Sequence, residues 1–255
     1  NRKLQVACFS ATYSPENLKE AFRTTGLKDG DEGVQLIKDT SNLVLKLVKQ
    51  YTMYFEPRGE GGMDHLLELI RGFFDALGTK MQQVIIFVNE KAYGRKVADL
   101  LTGDHAVGQL YGGKKGMTND ERDTVMPKFM KGETQRLIAT DVIGRGVDIP
   151  NVTHVINIDT PLKAMWNEKT RQNDLSLGHE EYLQRVGRAG RMGKTGVAIT
   201  FMPGDHDQVK QYGPSKAKID ELKALYQCDI EEVPVKDEDG DIPEELWQEK
   251  FGVVE

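Results

Sequence analysis

The chain predicts an α/β fold, an open parallel sheet with helices on both faces, and three observations carry that reading. From about residue 45 onward, short apolar runs alternate with segments of helical period. Val84-Ile-Ile-Phe-Val88 is apolar without a break, as expected of a strand covered on both sides. Polar or glycine-rich groups follow the runs: Asn89, Tyr111-Gly112-Gly113, Thr140-Asp141 and Asp159-Thr-Pro161. That order puts them beyond the carboxyl ends of the strands, where open parallel sheets bind their ligands.

Taken in order, Gln5 to Phe9 is a short apolar run with Ser10-Ala-Thr12 at its end. Ser14 as N-cap and Pro15 at the first helical position open a helix. Residues 24–42 are polar and contain glycine, which suits a connection between domains. Val48 to Phe55 predicts a strand. Met63 to Leu77 predicts a helix whose apolar stripe is Leu66, Leu67, Ile70, Phe73, Phe74 and Leu77. A weaker helix, interrupted by Gly94, fits Lys91 to Leu101. Further strands are expected at Ala106–Tyr111, Arg136–Thr140, Val152–Ile158 and Val197–Phe201, with helices at 118–131 and 180–188 between them. Thr118-Asn-Asp-Glu121 reads as a capping box, and Pro127 predicts a kink or an early end in the helix it sits in.

At 255 residues the chain has room for one large α/β domain or one domain and part of another. It holds no apolar run near the ~18 residues that cross a bilayer, and no secretory signal opens it. Its abrupt start, Asn1-Arg-Lys-Leu, reads as a cut inside a longer protein. Cys8 and Cys228 lack metal-ligand spacing and suggest a reducing compartment. Residues 229–255 hold eleven acidic and two basic side chains, a net of −9, so the overall −6 leaves +3 for the rest. A mildly basic body with an acidic tail is compatible with a polyanion on one face. Within it, Lys236 to Asp241 reads as a solvated tail.

Tyr182-Leu-Gln-Arg-Val-Gly-Arg-Ala-Gly-Arg191 holds the densest chemistry. Arg185, Arg188 and Arg191 recur at intervals of three, and a helix would project them from neighbouring parts of one face. Gly187 and Gly190 clear side chains from between them, so a bulky anion could approach the backbone. Each glycine costs a helix roughly 1 kcal/mol against alanine, which a merely solvated basic face gives no reason to accept. The guanidinium fork suits polyphosphate better than lysine does. In Thr140-Asp-Val-Ile-Gly-Arg-Gly-Val-Asp148, backbone N–H groups near Gly144 and Gly146, with Arg145, could meet phosphates, and Asp148 could accept from a ribose hydroxyl. A glycine turn with a structural Arg145–Asp148 pair is the plainer alternative. The dinucleotide fingerprint G-x-G-x-x-G follows none of the strands, which disfavours a nicotinamide or flavin enzyme.

Ser10-Ala-Thr12, Ile85 to Asn89, Arg122 beyond Gly112-Gly113, Thr140-Asp141 through Arg145-Gly146 to Asp148, and Arg185, Arg188 and Arg191 fall in one order. In that order the chain resembles the late motifs of DEAD-box RNA helicases from Gln5 to about Met202. The resemblance implies the second RecA-like domain at 45–228, with the end of the first and the linker at 1–44 and the acidic tail at 229–255. It implies that Arg188 and Arg191 act as arginine fingers on ATP, that Asp148 and Gly146 belong to the ATP site, and that Gly112, Gly113, Arg122, Thr140 and Arg145 hold RNA phosphates and 2′-hydroxyls. Ser10, Thr12, Gln184 and Arg185 would couple this domain to the first. The P-loop and the Asp-Glu-Ala-Asp box do not occur in these residues, so Mg2+ is expected to be held mainly by the other domain and this chain alone to be inactive. Single-stranded or locally duplex RNA, the first RecA-like domain and a protein activator are the expected partners, for a monomer of the cytoplasm or nucleus with no membrane association.

The sequence departs from the family in three places. Gln184 stands where the family has His, and Asn119-Asp-Glu-Arg122 replaces Gln-x-x-Arg. Leu162 to Gly178 is an insertion carrying Trp166, similar to one in the nuclear-pore mRNA-export branch. A non-catalytic RNA-binding or partner-docking module on the same fold is the alternative function.

Overall fold

Alternation of apolar faces along the strands builds the molecule. In the computed structural model, residues 15–26, 46–55, 63–78, 81–102, 106–112, 117–141, 143, 149, 151–167, 171–191, 193–203, 216–234 and 244–252 are described. The chain divides into two units, Asn1–Ser41 and Asn42–Glu255. In the first, helix α1 (Pro15–Thr25) carries a two-bond Arg23–Glu20 pair and a Thr25 hydroxyl that donates to the Ala21 carbonyl.

The second unit is a seven-stranded, wholly parallel sheet. Its strands are β1 (Val48–Phe55), β2 (Gln83–Phe87), β3 (Val107–Leu110), β4 (Arg136–Ala139), β5 (Val152–Asn157), β8 (Gly196–Pro203) and β9 (Ile230–Val233). Their order is β3-β4-β2-β5-β8-β1-β9. Val84 and Ile86 of β2 join one core with Met53, Ile156 and Ile199, together with Phe73 of α2 (Asp64–Leu77), Val97 of α3 (Lys91–Leu101) and Phe251 of α7 (Glu244–Phe251). Ile85 and Phe87 join the other, with Phe129 of α4 (Asn119–Met130), Tyr182 of α5 (His179–Val186) and Leu222 of α6 (Lys216–Tyr226). Both faces are therefore covered, which is why the strands read as continuous apolar runs.

The arginine segment departs from expectation. The helix carrying the arginines ends at Val186, so Arg188 and Arg191 lie beyond it and the three do not share a helical face. Gly187 caps the helix and Gly190 takes φ +67°, a left-handed turn that glycine makes without strain. A Cβ on Gly190 would lie 2.8 Å from Val48 Cγ2, so its missing side chain lets the turn close on β1 rather than opening a path for an anion. The acidic segment from Asp229 onward contributes structure at both ends. β9 pairs with β1, and Trp247 and Phe251 of α7 are 5% and 0% exposed, stacked edge-on with Phe73 and Tyr51. Lys236 to Asp241 falls outside the described residues. Helix α4 does not end at Pro127 but runs on to Met130, with Phe129 of its last turn buried.

The capping box at Thr118 and Glu121 is formed in both directions. Gly94 does not interrupt α3. A Cβ there would come within 2.7 Å of the Tyr111 ring, which packs across the helix at that point. The insertion at 162–178 forms an antiparallel hairpin, β6 (Leu162–Asn167) with β7 (Gln172–Leu177), separate from the main sheet. Its base is closed by the Gly178 N–H donating to the Pro161 carbonyl at 2.9 Å, and α5 follows directly.

Candidate nucleotide and RNA site

Four strand ends and one helix meet at the carboxyl edge of the sheet. The polar residues after β2, β3, β4 and β5 are Asn89, Gly112, Thr140-Asp141 and Asp159. Helix α5 lies against them because Tyr182 and Val186 are buried in the core beneath, with the Tyr182 hydroxyl donating to Gln50 Oε1 of β1 at 3.0 Å.

Arg185 organises this edge. Its side chain is 1% exposed. Nε donates to Asp141 Oδ1 at 2.6 Å, and Nη2 to Asp141 Oδ2 at 2.8 Å and Asn89 Oδ1 at 2.7 Å, while Nη1 donates to the Asp159 carbonyl at 2.9 Å. The guanidinium also lies over the Phe87 ring, 5.2 Å from its centroid. Asn89 closes the cluster. Its backbone N–H donates to both Asp159 carboxylate oxygens, at 2.8 and 3.0 Å, and its Nδ2 to the Thr160 carbonyl. Burial pushes the Asp159 carboxyl up to about 6, with Arg185 and the Asn89 N–H working against that rise. Arg185 is thus held by Asp141, Asn89 and the Asp159 carbonyl at this edge.

Gly112 and Thr140 are brought together. The Gly112 N–H donates to Thr140 Oγ1 at 3.0 Å, and the Thr140 N–H to the Leu110 carbonyl. Asp141, next in the chain, is half of the pair with Arg185. One continuous run of bonds thus links α5 to the ends of β3 and β4. Arg122 lies in the first turn of α4, half-buried. Arg188 is 6% exposed, in the turn after α5, with its N–H bonded to the Arg185 carbonyl. Arg191 is half-buried and its Nε donates to the Gly187 carbonyl at 3.1 Å. Gln184 is half-buried on α5. Ser10, Thr12, Gly113, Arg145, Gly146 and Asp148 lie outside the described residues.

Sequence reasoning placed Asn89, Asp141 and Asp159 at strand ends but did not pair them with Arg185. The partners lie 96, 44 and 26 residues from it along the chain, and no local pattern joins them.

Residues 62–193 match the family described as Helicase conserved C-terminal domain. Eukaryotic initiation factor 4A of Zea mays is 31% identical over 237 residues, covering 91% of this chain and 47% of the relative. DEAD-box ATP-dependent RNA helicase 38 of Oryza sativa subsp. japonica is 34% identical over 205 residues, covering 80% of this chain and 36% of the relative. The chain thus spans about half or less of the length of these curated relatives. Among solved structures, S. cerevisiae Dbp5 bound to RNA and ADP BeF3 superposes with a TM-score of 0.68 at 23% identity, over 95% of this chain and 54% of that one.

Proposed function

The chain belongs to the helicase conserved C-terminal domain family, in its DEAD-box group, and from that premise we propose that it is the C-terminal lobe of an ATP-dependent RNA helicase. In this reading Arg188 and Arg191 are supplied to the γ-phosphate of ATP bound mainly by another lobe, which also holds Mg2+. Gly146 and Asp148 complete the nucleotide site. Gly112, Gly113, Arg122, Thr140 and Arg145 grip the RNA backbone. Ser10, Thr12, Gln184 and Arg185 couple closure between lobes.

The observation that supports this best is the bonded run from α5 through Arg185 and Asp141 to Thr140 and Gly112. It ties the segment that leads into the fingers to the loops assigned to RNA. Phosphoryl transfer to water needs charge neutralised on the γ-phosphate more than it needs covalent chemistry, and a finger can contribute ~10³–10⁵ in rate. Delivering the finger from a second lobe makes turnover wait for closure, and RNA held by both lobes favours the closed form. Contacts to sugar and phosphate give affinity without sequence selection, and the 2′-hydroxyl separates RNA from DNA.

Placement in the nuclear-pore mRNA-export branch rests on the 162–178 insertion, since a 23% identical neighbour carries the fold alone. The test of the whole reading is an ATPase assay on this 255-residue chain and on a longer protein that adds a P-loop lobe before it. RNA-stimulated hydrolysis is expected from the longer protein only. Robust RNA-stimulated turnover by the chain alone would overturn the reading.

A further inference from the structure

Asn89 leaves β2 near the middle of the sheet, on a backbone held from both sides. The Val88 N–H donates to the Ala139 carbonyl of β4 at 2.9 Å, and the Phe87 carbonyl accepts from the Ile158 N–H after β5 at 3.0 Å. Strand β2 is buried throughout, so its end is a fixed point from which a side chain can hold a neighbour. What Asn89 holds follows from donor and acceptor chemistry. Its Nδ2 donates to the Thr160 carbonyl at 2.8 Å, a group that can only accept. Its Oδ1 accepts from Arg185 Nη2 at 2.7 Å, a group that can only donate. The amide therefore has one orientation, and turning it over would break both bonds.

Arg185 meets three strand ends through its fork: Asp141 after β4, Asn89 after β2 and the Asp159 carbonyl after β5. The Asp141 side chain is 46% exposed, and a carboxylate in water holds a guanidinium with attraction more than with direction. The bonds to Asn89 and to the Asp159 carbonyl are the ones that fix the plane of the fork. Of these two, only the Asn89 bond comes from a side chain and can be removed by substitution.

The turn that carries Arg188 and Arg191 is built on the same end of α5. The Arg188 N–H donates to the Arg185 carbonyl and the Ala189 N–H to the Val186 carbonyl, each at 3.1 Å. Arg191 Nε donates to the Gly187 carbonyl, also at 3.1 Å. Wherever the last turn of α5 is set, this turn follows.

We propose that Asn89 is a positioning residue for phosphoryl transfer: by fixing the guanidinium of Arg185 it sets where α5 ends, and hence where Arg188 and Arg191 are delivered. The role asks for no contact between Asn89 and nucleotide or RNA. The inference rests on the reading of those two arginines as fingers. A misplacement of ~1 Å can cost about 10²-fold in rate. Losing one of several bonds loosens Arg185 without releasing it, so the expected loss is smaller.

The test is steady-state, RNA-stimulated ATP hydrolysis by the longer protein that adds a P-loop lobe, with RNA affinity measured in parallel. Asn89→Ala should lower kcat about ten-fold while KM for ATP and RNA affinity stay within about two-fold of the parent. In Arg185→Lys, whose single ammonium cannot reproduce the fork, adding Asn89→Ala should cost less than about three-fold more, because the two residues act as one unit. Should Asn89→Ala not fold, Asn89→Ser, whose hydroxyl falls short of both partners, is read the same way. A kcat within about three-fold of the parent, an equal loss of RNA affinity, or the full penalty again in Arg185→Lys would each overturn the proposal and leave the finger assignment standing. A longer parent protein without RNA-stimulated hydrolysis would overturn the functional reading itself, and the proposal with it.

Discussion

Replacing Arg185 with methionine keeps most of the side-chain volume and removes the charge and four hydrogen bonds. What remains is an Asn89 Oδ1 without its donor and an Asp159 carboxylate, 14% exposed, without its nearby cation. Breaking a buried ion pair from one side destabilises by about 3–5 kcal/mol, because the surviving charge keeps its desolvation penalty. Against a typical total of ~5–15 kcal/mol that is a large loss. Asp141→Asn should be much milder, about 1 kcal/mol or less, because the Asp141 side chain is 46% exposed and water can serve Arg185 there. The pH dependence supplies a second check. Arg185 lowers the Asp159 pKa, so its removal lets that carboxyl protonate more readily and relieves the penalty in acid. Urea unfolding of Arg185→Met should therefore show a larger deficit against the parent at pH 8 than at pH 5. A deficit below about 1 kcal/mol at pH 8, or one that matches Asp141→Asn, would refute the claim that this guanidinium organises the edge.

Three further outcomes follow from the packing. Phe251→Ala should lose about 3–5 kcal/mol in chemical denaturation, the range for emptying a buried aromatic site, whereas a solvated tail would lose nothing measurable. Gly190→Ala should lose about 2 kcal/mol or more by thermal unfolding, since the left-handed φ and the Val48 contact both act against the new methyl group. His154, which bonds the Phe251 carbonyl through Nε2 at 2.8 Å, is pushed down to about 4 by burial, from 6.5. Its folded pKa lies below its unfolded one, so its contribution is present above pH 6.5 and is lost as pH falls toward 4, by about 3 kcal/mol. In His154→Gln that part of the pH slope should vanish, and a slope between pH 4 and 6.5 equal to the parent's would contradict it.

The sheet was legible because its strands are long apolar runs and its helices carry clear stripes, as Val84–Val88 and Leu66–Leu77 show. The strand-end positions of Asn89, Thr140 and Asp159 were legible for the same reason. Three features were not. Charge masked α7: three glutamates and Gln248 among its eight residues hide Trp247 and Phe251, whose burial depends on Phe73, some 170 residues earlier. Spacing alone suggests a helical arginine face, although Gly187 caps the helix and Gly190 turns the chain beyond it. Gly94 looked like a weak point in α3 because the ring that needs its space arrives from β3's end. Glycine reports a close approach in each case without saying what approaches.

The most direct measurement of the central claim is the RNA-stimulated ATP hydrolysis rate of a longer protein carrying Arg191→Ala, taken at saturating ATP alongside RNA affinity. The account predicts a loss of about 10³-fold or more in rate with RNA affinity unchanged. A rate within about ten-fold of the parent, or an equal loss of RNA affinity, would contradict it.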